Sequence, residues 1–271
     1  MNEVEWRERL GEMVRDYIRS PELEHYFSIK MTKPRAAIMV TQQSLFVRHR
    51  RECWAHVSAN CPVLAIKQRI LEHEYEEIIR DDFSDYGHLH LIIRQGKSVG
   101  LEPEEILNAE PLPETRAVLY AWSWMTSEMS WIEALAGMTI TEWCNDDRLL
   151  GDLGGGQSTR MAKKWMNEMG FTWKQIPNME AHSQADEKHS DMFLPFLKEY
   201  AHGRERADAR SKQPRILWHS MLCFARELRW PRKRFRYDAH QIGLVTSKIE
   251  DAQKRFSVRH EDDVRKIESR S

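Results

Sequence analysis

The sequence predicts an all-α protein, a bundle of helices closed around an apolar core. Amphipathic spacing at i, i+3 and i+4 recurs along almost the whole chain. Alternating strand patterns bounded by turn residues are hard to find. A hydrophobic fraction of 41%, with ten Trp and thirteen Met in 271 residues, is ample for a core. We expect one domain over residues 1–271, with a polar C-terminal segment from about residue 245.

The elements follow in order. A first helix is predicted from about Glu3 to Arg19. A second, "RAAIMVTQQSLFVRHRRECWAHVSAN", is stopped by Pro62, which cannot continue a helix. The third, "LAIKQRILEHEYEEIIR", gives way at "DDFSDYG" to "HLHLIIRQGKSVG", which Gly100 ends. Beyond the turn "LEPEE" and the break "AEPLPE" come "TRAVLYAWSWMTSEM" and "SWIEALAGMTITEW". The loop "GDLGGGQS" separates these from "TRMAKKWMNEMG" and from a helix capped by Asn178 and running to about Ala201. One more apolar helix, "RILWHSMLCFAREL", precedes the polar end.

Composition excludes several classes. A formal net charge of -1 creates no overall field for nucleic acid or an anionic membrane. The basic, aromatic stretch "RWPRKRFRYD" is too short to change that and reads as solvated surface. Cys53, Cys61, Cys144 and Cys223 lack CxxC spacing, against both a disulfide framework and a thiolate zinc site. The opening "MNEVEWRERLGEMVRDYIRS" has no apolar signal-peptide core, and no apolar run reaches the ~20 residues of a membrane span. The expected location is the cytoplasm. "GDLGGGQS" lacks a Lys after its glycines and a preceding strand, so a flexible turn is favoured over a phosphate cradle.

The chemistry concentrates in "HSQADEKH". On a helix, His182, Asp186 and His189 stand at i, i+4 and i+7 on one face, together with Met179, Ala185, Phe193 and Phe196. A carboxylate on an apolar stripe is costly unless a cation neutralises it. Partners are available elsewhere. The third helix has the stripe Ile66, Ile70, His73, Glu77, and the helix before the glycine loop has Trp131, Leu135, Met138, Glu142. His88 shares a face with Ile92 and Val99. His73, His90 and Glu76 are assigned to ordinary packing or solvated roles. Mixed His and carboxylate donors without thiolate favour iron or manganese, in the manner of two-metal sites inside helical bundles.

On these residues the chain resembles the TenA/PqqC superfamily, with its haem-oxygenase-like helical bundle, and within it the non-haem dimetal oxidases and oxygenases. "ANCP", "KQRILEHE" and "GKSVGLEPEEI" look like the pyrroloquinoline-quinone synthase branch, whereas "HSQADEKH" matches the H-x3-D-x2-H signature of the dimetal branch. The resemblance spans roughly residues 36–200. It implies a metal set of Glu77, His88, Glu142, His182, Asp186 and His189, with Glu76 or Asp81 as alternatives to Glu77. Some members add a carboxylate from the preceding helix, for which Glu52 is the best placed. Thiaminases of the same fold use a nucleophilic Cys, but Cys144 lies two residues from Glu142, on another face, and reads as a small buried residue.

The implied function is that of an enzyme with two Fe(II) ions, manganese being the alternative metal, that uses O2 on a small carboxylate, an amino acid or fatty acid derivative, in metabolite biosynthesis. Outcomes in the family are desaturation, oxidative cleavage or decarboxylation, and N-oxygenation. The alternatives are a cofactorless oxidase of the quinone-synthase type and a non-catalytic helical binding protein. The expected partner is the substrate, with no nucleic acid and no membrane, and at most a second copy of the chain in a homodimer.

Overall fold

A computed structural model describes residues 3–200, apart from the side chains of Glu3 and of residues 184–188. All of them fall in one compact unit. The predicted boundary near residue 245, the helix "RILWHSMLCFAREL" and the basic stretch after it lie outside the described residues.

The described residues form helices and connecting turns, with no strand among them, as the spacing predicts. α1 (Glu3–Ile18) buries Trp6, Leu10, Met13, Val14 and Tyr17, a stripe of helical period. α2 (Pro21–Ser28) is a helix the sequence reading leaves out, although Ser20 accepts from the Leu23 N–H as N-cap and Pro21 opens it. α3 (Lys33–Asn60), about 42 Å long at 1.5 Å per residue, is the central pillar against which α4, α5, α6, α7 and α8 all pack.

α4 (Leu64–Ile78) turns Ile66, Ile70, His73 and Glu77 inward. α5 (Gly87–Val99) ends in a Schellman turn at Gly100, where Leu101 N–H bonds Gly96 O and Gly100 N–H bonds Lys97 O. The expected turn "LEPEE" leads directly into the short α6 (Pro103–Leu107), which starts within it. α7 (Pro113–Glu128) leads to α8 (Trp131–Trp143), which starts at the Ser130–Glu133 capping box and is buried from Ala134 to its end.

The glycine-rich loop follows α9 (Asp147–Leu150) and enters α10 (Gln157–Met169). It is no phosphate cradle, because its donors are already taken. Gly156 N–H and Thr159 Oγ1 donate to the Asp147 carboxylate, and Ser158 N–H donates to Asn145 Oδ1. These bonds also tie the turn down more firmly than a merely flexible connection.

α11 (Pro177–Met192) carries the ligand motif. Asn178 does not cap it: Ile176 occupies that position, Pro177 is the first helical residue, and the Asn178 amide is buried without a hydrogen bond. Nor does the helix run unbroken to residue 201. It stops at Met192, and α12 (Leu194–Tyr200) begins after Phe193. Pro195 is the cause, since it has no N–H to donate and its ring crowds the carbonyl four residues earlier. No described helix is long and apolar enough to cross a membrane.

Candidate metal centre

The centre forms where α4, α5, α8 and α11 present their polar positions to one another. Ile66 and Ile70 fix α4 in the core, so the next two inward positions, His73 and Glu77, are buried too. His88 reaches Glu77 because the backbone closes tightly at Gly87. There φ is +70°, and a Cβ would collide with the Ile78 carbonyl. α11 is held in register by Trp143 Nε1, which donates to Ser190 O at 2.7 Å, and by Ser190 Oγ, which donates to Asp146 Oδ2 at 2.6 Å. His189 is thereby set beside Glu77.

The three imidazoles share one pattern. His88 Nε2 lies 2.8 Å from Asp81 Oδ2, while Nδ1 lies 3.1 Å from Glu77 Oε1. His189 Nε2 lies 2.9 Å from Glu76 Oε2, while Nδ1 lies 3.7 Å from Glu77 Oε1. His73 Nδ1 lies 3.1 Å from Glu74 Oε1, while Nε2 lies 3.4 Å from Glu142 Oε1. Each ring thus leans one nitrogen on an outer carboxylate and turns the other inward, the arrangement that fixes ring orientation and basicity in metal-bound histidines. Ligand atoms of His73, Glu77 and His189 lie within 4.8 Å of one another. His182 stands edge-on to His88, with ring centroids 4.7 Å apart.

The donors fit a cation. Glu77 Oε1, His88 Nδ1 and His73 Nε2 are buried and make no well-formed hydrogen bond despite their close neighbours, a costly arrangement unless something else binds them. Positive charge accumulates around the carboxylates. Arg50 pairs with Glu142, and Arg51 lies 3.0 Å from Glu74 and 3.3 Å from Glu77. Burial pushes His88 towards neutrality, but Glu77 and Asp81 hold its pKa up at about 10. Burial likewise opposes charge on His73, which the neighbouring carboxylates of Glu142 and Glu74 raise to about 9. Burial opposes ionisation of Glu77 and Glu142 as well, yet His88 and Arg51 hold the first, and Arg50 and His73 the second, well below the usual carboxylate range. Two protons and two guanidiniums therefore occupy the electrostatic role that a bound cation would take.

The comparisons add a family to this geometry. Residues 38–219 match a protein family described as "Iron-containing redox enzyme". The chain belongs to that family. The fold of this iron-containing redox enzyme is shared with two solved structures. One is a domain of unknown function with a haem-oxygenase-like fold from Shewanella denitrificans, 19% identical over 84% of this chain and 90% of its own, with a TM-score of 0.63. The other is a CADD-like protein of unknown function from Nostoc punctiforme, 13% identical over 83% of this chain and 97% of its own, with a TM-score of 0.62. No curated protein matches the sequence.

Of the residues singled out from sequence, the fold of this family member brings Glu77, His88, Glu142, His182 and His189 together. Asp186 lies on α11 between the two histidines, but its side chain is outside the described residues. Glu52 is a correction. Its side chain is 72% exposed and pairs with His49 on α3. Two positions after Arg50 and two before Trp54, it points about 200° around the helix from each. His73 and Glu76, read from sequence as ordinary packing or solvated residues, also lie here, the first beside Glu77 and His189 and the second 2.9 Å from His189 Nε2. His90 keeps the ordinary role expected of it and packs against Tyr86. Cys144 is buried, as expected, and forms no disulfide among the described residues.

Proposed function

We propose that this iron-containing redox enzyme is a non-haem, dinuclear Fe(II) oxidase or oxygenase that uses O2 to oxidise a small carboxylate. The observation that carries the reading is the set of three buried imidazoles, each with one nitrogen on an outer carboxylate and the other turned inward. Glu77, His73, His88 and His189 are the residues we assign to one ion. Glu142, His182 and, by its place on α11, Asp186 are assigned to the second. Bound iron supplies the electrons that reduce O2.

The chain's own residues do the rest. Glu74, Glu76 and Asp81 hold the rings in orientation. Arg51 balances the carboxylates. Trp54 and Phe193, stacked with centroids 4.8 Å apart beside His73, keep water from that side. The iron-containing family weighs against the metal-free oxidase and the purely binding protein as readings.

Anaerobic loading with Fe(II), followed by metal analysis and O2-uptake measurements with a panel of amino and fatty acids, tests the proposal. We expect about two irons per chain and faster O2 consumption with one class of acid. A chain that retains no iron refutes it.

A further inference from the structure

Next to the centre is a cavity of about 160 Å³, of the order that accepts a benzene-sized group. Tyr17, Tyr26, Phe46, Trp122, Met161 and Met179 form much of its wall. His182 and Arg50 also line it, so it borders the candidate metal centre. Arg50 is the arginine of that lining, with its side chain only 14% exposed. Its guanidinium lies 6.0 Å from the centre of the Trp122 ring while it pairs with Glu142.

A guanidinium held over an aromatic face at the wall of an apolar cavity is a built receptor for a planar anion. The pairing with Glu142 keeps that charge compensated while no ligand is present. It also sets a competition, because every hydrogen bond given to Glu142 is one a ligand must replace. We propose that Arg50 anchors the carboxylate of a small acid whose apolar tail fills this cavity, and that Glu142 is the internal competitor holding Arg50 until the acid arrives. This rests on the carboxylate substrate proposed above and names the residue that would select it.

The test needs no iron and no turnover. Binding of 3-phenylpropionate and of its neutral counterpart 3-phenylpropanol is measured calorimetrically on the full-length, metal-free protein. The parent should prefer the acid by about tenfold, the scale of one charge-assisted hydrogen bond. Glu142→Gln should tighten acid binding by about tenfold again and leave the alcohol unchanged. Arg50→Gln, checked for helical content, should abolish the preference.

Failure of the acid to bind at millimolar concentration, or an acid affinity unmoved by Glu142→Gln, overturns the anchor. So does an Arg50→Gln protein that folds and still prefers the acid. Iron content, measured separately on the parent, reports on the metal reading alone. Normal iron with no acid preference removes only the anchor, and acid preference without iron removes only the proposed chemistry.

Discussion

His73 shows how one residue changes meaning with its neighbours. Alone on an apolar stripe, a histidine is usually a core residue with one hydrogen bond, and His73 has such a bond, to Glu74. What distinguishes it is Glu77 one turn later on the same buried face, with His189 opposite at a ring separation of 4.7 Å. We expect His73→Ala to lower iron occupancy as much as His189→Ala does, with helical content retained, and His90→Ala to leave it unchanged. Metal analysis of the three variants decides this, and full occupancy in His73→Ala returns that residue to the core. The i, i+4, i+7 spacing of His182, Asp186 and His189 was legible because one helix places all three. The His73–Glu77 pair is legible too, as an i, i+4 pair, although a histidine on an apolar stripe reads first as a core residue. Glu52 was misplaced for a different reason. Helices surround α3 on several sides, so its apolar residues do not mark a single inward face. Nothing in the sequence marks Arg50 out from its many cationic neighbours, since its role depends on a cavity built by distant segments.

At the scale of elements, the helices themselves were mostly legible, because each buries a stripe of helical period. Their ends were less so. Pro195 is legible in the sequence, and the break at Phe193 in what the spacing predicts as one long ligand-bearing helix follows from proline chemistry alone. The α4–α5 junction was not legible, because it depends on a contact between backbones. Gly87 stands at positive φ against the Ile78 carbonyl, whereas Gly154, also at positive φ, has open space where a Cβ would be. Both substitutions to Ala incur the left-handed strain of about 1–2 kcal/mol, and only Gly87→Ala adds a collision at the turn that joins Glu77 to His88. Urea denaturation should therefore show a larger loss of stability for Gly87→Ala than for Gly154→Ala, and iron binding should weaken in the first alone. Equal losses and equal iron binding would mean that the junction does not position the centre.

Across the whole molecule, the metal-free protein should behave as a cation site filled by protons. His73 and His88 have folded pKa values of about 9 and about 10 against an ordinary value of 6.5, so the folded chain holds protons there that the unfolded chain releases. The sign follows from linkage: their contribution is present in full below pH 6.5 and is lost as pH rises through 9 and then 10. Each group can remove at most about 1.4 kcal/mol of stability per pH unit in that window. Iron ligation requires neutral imidazoles, so loading should expel these protons and remove their share of the dependence. We expect the thermal midpoint of the metal-free protein to fall between pH 7 and pH 9. The fall should be shallower in His88→Gln and shallower again in iron-loaded parent, where the metal replaces both protons. Thermal denaturation of the three samples across this range tests the idea. A midpoint in the metal-free parent that holds steady or rises from pH 7 to 9 would show that the buried carboxylates are not compensated by imidazolium charge, and that the centre is neutralised by Arg50 and Arg51 alone.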